Sequence, residues 1–372
     1  MMRGLSWRHF DFWLLGAVVL ATAFGVAMIR SAIAGNEELL LTVTRQTQFA
    51  LIGLGVIFLV AAIDYNYWLA LYRPMYVVMM ILLIMIYISA QPQFGAARWF
   101  QIAGLFIQPT ELAKIVIILI LARYFEKTQN EVKDLRWLIS SIVWVAGLTM
   151  WILLQPNLSN VIVIGIIWAL MVWQNGVPVR TILILVFIVA LIGLVAILIP
   201  EPYSPLQEYQ RARVFTFLFP DPNASYGATY NVLQALVAIG SGGLWGRGYG
   251  HGTQTQLRFL KVRHTDFIFS AVSEEFGMIG GILVIVVLLF IIFRCLRAAR
   301  LARDVSGSMI AYGVAVLIFF QGAVNIGVNV NLIPVSGLPL PFISYGGSGL
   351  LSLMLGIGLV ESVVVRHRQL EF

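Results

Sequence analysis

Apolar residues in this chain come in unbroken blocks; they do not alternate with polar residues as in a half-buried strand. One block, "MIGGILVIVVLLFIIF", runs from 278 to 293, and comparable stretches recur from end to end. Runs of about 18 or more such residues cross a hydrocarbon core roughly 30 Å thick. Barrel strands would alternate, and an open sheet edge cannot be satisfied in lipid, so the blocks predict helices. Hydropathy places about ten spans, at roughly 9–30, 46–64, 67–89, 109–125, 137–154, 157–174, 181–200, 267–293, 308–330 and 347–365. The expected fold is an all-α polytopic membrane protein, a bundle of about ten transmembrane helices. It forms a single transmembrane domain over 1–372, with one large extracytoplasmic loop at 201–265. The first block lacks a small-residue cleavage site and is one of many like it, so it reads as a retained span rather than a signal peptide.

Composition sharpens the picture by exclusion. Hydrophobic residues make up 60% and charged residues 11%, against about 25% charged in a soluble domain. Cys295 is the only cysteine, so no intrachain disulfide is possible and no thiolate metal site is supported. The net charge of +7 suits contact with anionic lipid rather than nucleic acid. Short basic segments set the orientation. Arg3 and Arg8, the 123–136 loop, the 294–303 segment and Arg366 with Arg368 all fall on one side of a ten-span bundle, predicted to be cytoplasmic together with both termini. Arg211, Arg213, Arg247, Arg258, Lys261 and Arg263 then lie outside, in a loop long enough to be largely exempt from the rule.

Ionisable groups inside the spans are the candidates for chemistry, since each is costly in lipid. Glu111 and Lys114 in "QPTELAK" are three apart and share a helix face. They read equally as a packing ion pair and as a polar element of a cavity. Asp266 opens the span after "RHT" and, taken alone, reads as a helix cap. Beneath it, however, Ser270, Ser273 and Gly277 form one small polar stripe with Glu274 at its edge, which predicts a central helix with a polar cavity along that side. Glu275 points nearly the opposite way. Arg211 and Arg213 in "YQRARVF" are suited to clamping a pyrophosphate, although a basic segment near anionic headgroups explains them nearly as well. The glycines at 242–252 are neither a P-loop nor a dinucleotide fingerprint, and read as a flexible loop more readily than as a phosphate cradle. The stretch "YNVLQALVAIGSGG" is amphipathic enough to lie flat on the interface.

In order along the chain come "GAARWFQIAGLFIQPTELAK", "YQRARVFTFL", "LVAIGSGGLWGRG", "HTDFIF" followed by "EEFG", and "PLPFISYGGSG". Taken together over ten spans, these motifs resemble the SEDS family (shape, elongation, division and sporulation) across essentially the whole chain. Short termini and "QTQLRF" resemble its elongation branch more than its division branch. The resemblance implies a peptidoglycan glycosyltransferase of the bacterial cytoplasmic membrane that polymerises lipid II at the outer face. The implied partners are a class B penicillin-binding protein that supplies transpeptidation, other elongation-machinery proteins and membrane lipid. By the same resemblance Asp266 is the catalytic acid, expected to act as a general base on the acceptor hydroxyl. Glu111, Lys114, Arg98 and Arg213 match family positions near the expected cavity, and Arg211 joins them as a candidate for the leaving pyrophosphate, with a divalent ion, Mg²⁺ or Mn²⁺, as a further possibility. Two departures stand out: "QPNLSNV" puts Asn157 where the family has aspartate, and "FLKV" puts Lys261 where it has proline. The rival class is a flippase for the lipid-linked precursor, and a third reading is a non-catalytic scaffold. The charged set lies towards the outer side and no inverted repeat is evident, which weighs against transport.

Overall fold

The computed structural model describes residues 7–33, 39–89, 100–102, 105–199, 203, 207–220 and 227–367. Helices account for all ten apolar blocks. They are α1 (Phe12–Ile33), α2 (Leu40–Ala62), the pair α3 (Tyr65–Ala70) and α4 (Tyr72–Ser89), α5 (Pro109–Lys127), α6 (Leu135–Leu154), α7 (Leu158–Gln174) and α8 (Val179–Leu198). Three helices, α9 (Glu208–Leu218), α10 (Gly227–Gly242) and α11 (Thr253–Gln256), then fill much of the expected large loop. The chain closes with α12 (Ile268–Leu301), α13 (Val305–Asn329) and α14 (Gly347–Val365). Among the described residues, seven helices are long and apolar enough to cross a membrane outright, and α4 and α7 supply shorter apolar rods. One small hairpin escapes the all-α expectation: β1 (Phe100–Ile102) pairs antiparallel with β2 (Leu105–Ile107), Phe100 opposite Ile107.

Burial sorts the helices. α14 and α13 are buried on nearly every face, and α5 over most of its length, whereas α8 buries only Ile182. A uniformly apolar helix such as α8 needs no partner in hydrocarbon, while the inner helices approach closely through small residues. Gly358 of α14 shows why: a Cβ there would lie 3.1 Å from the Ile57 carbonyl of α2. At one end of the bundle, ions tie the helix termini together. Asp11 pairs with Arg294 at 2.5 Å, its N–H donates to Glu361 at 2.9 Å, and Tyr65 donates to Asp304 at 2.7 Å. Arg366 donates to the Ala61 and Ala62 carbonyls. The basic segments around 294–303 and 366 therefore share one end, as the orientation argument requires.

The span predicted at 267–293 is a broken helix. Gly277 has φ 68° and ψ −166° inside α12, a conformation readily open only to glycine. A break strands carbonyls before it and N–H groups after it, and the glycine-rich loop supplies partners for both. Arg247 and Gly248 donate to the Glu274 and Glu275 carbonyls (3.0 and 2.9 Å), while Met278 and Ile279 donate to the Gly243 and Leu244 carbonyls (2.8 and 3.3 Å). The contact is so close that a Cβ on Gly246 would meet the Glu275 carbonyl oxygen at 2.2 Å. This corrects the flexible-loop expectation, and it removes the phosphate-cradle alternative at Arg247 and Gly248 by consuming their N–H groups. α10 likewise packs against α12, turning Val232, Ala235 and Ala238 inward.

The two glutamates after Ser273 belong to the same device. Glu274 accepts from the Gln254 and Thr255 N–H groups (2.7 and 3.0 Å) and from the Thr255 and Thr253 hydroxyls (2.7 and 3.4 Å). Glu275 accepts from Ser31 of α1 at 2.5 Å and from Gln256 at 3.5 Å. Both acids fasten the loop across α12.

Candidate active site

Asp266 lies two residues ahead of α12, and it does not cap that helix. The cap position is Phe267, with no side-chain cap bond. The backbone around Asp266 is instead clamped from both sides. Asn325 and Asn329 of α13 donate to its carbonyl at 3.0 and 2.9 Å. Ser344 donates to the Thr265 carbonyl at 2.6 Å, and the Tyr345 N–H to the His264 carbonyl at 2.9 Å. The residue is half-buried, with no cation at ion-pairing distance among the described residues. Gly337, at φ 72°, faces it: a Cβ there would stand 3.9 Å from Asp266 Oδ2.

Burial pushes the Asp266 carboxyl up to about 6, against the opposing pull of Arg213 and a hydrogen bond with the Thr265 side chain. The acid is thus mostly ionised at neutral pH yet basic enough to take a proton. His264 is driven down to about 4 by burial and by Arg263, so a neutral imidazole neighbours it. The stripe beneath Asp266 packs against α13. Asn329 Oδ1 accepts from both the Ser270 N–H and hydroxyl (3.0 and 2.6 Å), and α13 fills the groove. The polar space lies elsewhere. A cavity of about 290 Å³ is bounded by the start of α7, by α9, α13 and the 333–338 segment. Ser336 and Leu338 line it, with Gly337 between them, so Asp266 stands just behind this wall and outside the cavity lining itself. Arg213 lines the cavity and also acts on Asp266, and among the described residues it is the one charged residue lining it. The other polar positions are Asn157, Ser159, Tyr209, Gln210 and Ser336, set among an apolar majority.

The remaining expected residues divide. Lys114 pairs with Glu111 at 2.8 Å, both buried, and donates to Asn160 Oδ1 at 3.3 Å. Asn160 donates to Asn157 Oδ1 at 3.2 Å, so the ion pair meets the cavity only through two amides. Arg211 does not line the cavity; it lies over the Phe215 ring at 5.9 Å. Two residues apart on a helix, Arg211 and Arg213 point some ~200° apart, which separates the expected clamp. Arg98 lies outside the described residues. Asn325 and Asn329, which fix the Asp266 backbone, were not singled out from the sequence; two amides four apart in an apolar helix were the available signal. Among the described residues no group of three or more His, Cys, Asp or Glu side chains is placed to hold a metal ion. Mg²⁺ is commonly held by one or two carboxylates together with substrate phosphates, and Asp266 is the carboxylate beside this cavity; among the described residues lining it, the cation is Arg213.

Comparison with known proteins places the chain in a family. The FtsW/RodA/SpoVE family of cell cycle proteins matches residues 5–369. The chain belongs to that family. Among its relatives, a protein named probable peptidoglycan glycosyltransferase FtsW from Geobacter metallireducens is 32% identical, covering 97% of this chain and 96% of its own. The peptidoglycan glycosyltransferase MrdB of Escherichia coli K12 is 35% identical over 80% of this chain and 78% of its own. Among solved structures, one chain described under the structural coordination of polymerization and crosslinking by a peptidoglycan synthase complex superposes with a TM-score of 0.81 at 27% identity, covering 97% of this chain and 99% of that one. The rod shape determining protein RodA of Thermus thermophilus gives 0.72 at 27% identity, covering 97% and 98%. FtsW/RodA/SpoVE membership thus carries the fold with it, a multi-pass bundle of the inner membrane.

Proposed function

We propose that this protein is a peptidoglycan glycosyltransferase that polymerises lipid II at the outer face of the cytoplasmic membrane, in its elongation role, with Asp266 as general base. The observation that carries the reading is the half-buried Asp266, paired with no cation among the described residues, one glycine away from an amphipathic cavity lined by Arg213. In the reaction, an acceptor sugar hydroxyl attacks the anomeric carbon of a lipid-linked donor. The hydroxyl proton passes to Asp266 as the new C–O bond forms. The bond from that carbon to the pyrophosphate breaks, and undecaprenyl pyrophosphate leaves with its electron pair. Arg213 faces the charge that develops there, which preorganised cations stabilise without rearranging. The apolar majority of the lining suits a prenyl chain.

The basic end of the bundle, with Arg294, Arg303 and Arg366, faces the cytoplasm in this reading, along with both termini. A class B penicillin-binding protein is the expected partner, since a structural neighbour belongs to a complex that coordinates polymerization with crosslinking. The test uses the purified full chain in detergent with labelled lipid II and resolves the product on a gel. Glycan polymer is expected, and its formation needs no second leaflet. If no polymer forms with or without the partner, while labelled lipid II crosses the bilayer of vesicles holding the protein, the polymerase reading fails in favour of transport.

A further inference from the structure

Hydrogen-bond polarity runs in one direction from the buried ion pair to the cavity. Lysine has only donors, so Lys114 obliges Asn160 to present Oδ1, at 3.3 Å. Asn160 then has only its NH₂ to offer Asn157, whose Oδ1 accepts at 3.2 Å. That fixes the Asn157 amide too: its oxygen accepts from Asn160, which leaves Nδ2 as its remaining donor. Asn157 is only 4% exposed, its Nδ2 has no partner, and the residue lines the cavity that holds Arg213. A buried donor left unmatched costs about 1–3 kcal/mol, and this one is oriented by three linked side chains. The neighbouring polar groups do not use it: Ser159 donates to the Ser336 carbonyl at 2.6 Å, and Tyr209 to the Pro156 carbonyl at 2.5 Å.

We propose that the Asn157 amide donates to a phosphate oxygen of the lipid-linked substrate and, with Arg213, forms the pyrophosphate subsite of the cavity. The argument for phosphate is twofold. The Asn157 nitrogen can only donate, which requires an acceptor, and the one charged residue among the described lining is a guanidinium, whose forked donors match phosphate oxygens. An aspartate at this position would present acceptors alone; the subsite built here is of opposite polarity.

The inference rests on the glycosyltransferase reading, and its test separates the two. Binding of farnesyl pyrophosphate to the full chain in detergent is measured beside farnesol and inorganic pyrophosphate, and lipid II kinetics are run in parallel. Asn157→Asp keeps the side-chain size and removes the donor. It is expected to weaken farnesyl pyrophosphate binding at least tenfold and to raise the lipid II KM by a similar factor, with kcat within about twofold and an unchanged melting temperature. Asn157→Ser, which retains a hydroxyl donor, is expected to lose less. Wild-type-like binding by Asn157→Asp overturns the subsite. So does farnesol binding as tightly as the pyrophosphate, or a fall in kcat with KM unmoved in both variants. A wild type that binds farnesyl pyrophosphate but forms no glycan leaves the subsite standing and sinks the polymerase reading.

Discussion

Asp266 and Glu274 stand eight positions apart at the head of one helix, and their surroundings differ in kind. Glu274 receives four donors on its two oxygens, two of them backbone N–H groups of the 253–256 turn. Asp266 has its backbone carbonyl held by two asparagine amides, while its carboxylate has the Thr265 hydrogen bond and the more distant Arg213. In Glu274 the acid organises the protein; in Asp266 the protein organises the acid. Burial of a carboxylate near a membrane therefore says little by itself. What separates structure from chemistry is whether its hydrogen-bonding capacity is already used.

Substitutions can break that contrast, and the largest expected effect falls on Asp266. Asp266→Asn keeps the shape and removes the base, which should lower the polymerisation rate by about 10²–10⁴-fold, measured on lipid II in detergent. Its folded pKa lies above the ordinary carboxylate value of 3.8, so ionisation opposes folding, and stability contributed by the neutral form is lost as pH rises through about 4 to 6. The same variant should therefore melt no lower than wild type at pH 7. A wild-type rate in Asp266→Asn would end the base assignment.

Lys114→Met comes next and acts on the fold. It leaves Glu111 buried without its partner, at a cost of about 3–5 kcal/mol, read by thermal or denaturant unfolding in detergent. Adding Glu111→Gln should recover part of that loss. Glu274→Gln sharpens the opening contrast from the other side. Its amide turns a donor towards N–H groups, costing about 1–3 kcal/mol for each one left unmatched. Here the melting temperature should drop while kcat of the folded fraction holds; a large fall in kcat at unchanged stability would move Glu274 into the chemistry. The smallest effect is one of pH. A base with a pKa of about 6 is lost on protonation, so kcat/KM should be level above neutrality and fall about tenfold per pH unit below that value. A profile flat down to pH 5 would show that another group takes the proton.

Much of this fold was legible because lipid leaves few choices: a run of apolar residues long enough to cross can only be helical. The ten blocks, the basic end and the ion pair at Glu111 and Lys114 all followed from local pattern. The break at Gly277 did not, because a glycine in an apolar span is ordinary until a second glycine-rich segment docks on it. Nor did the occupation of the Ser270 stripe by Asn329, which depends on how α13 rotates against α12.

By itself, then, the amino-acid order determined the helices, the basic segments that meet at one end and the acid at 266, since these depend on hydropathy, charge and spacing along one chain. Tertiary structure alone decided which acids are spent on packing and which keeps hydrogen-bonding capacity in reserve. It also decided that Arg213 rather than Arg211 meets the cavity, and that the Asn157 amide ends a chain of donors begun at Lys114. Those outcomes rest on contacts between helices far apart in sequence, where a rotation of one turn exchanges a buried bond for an open site.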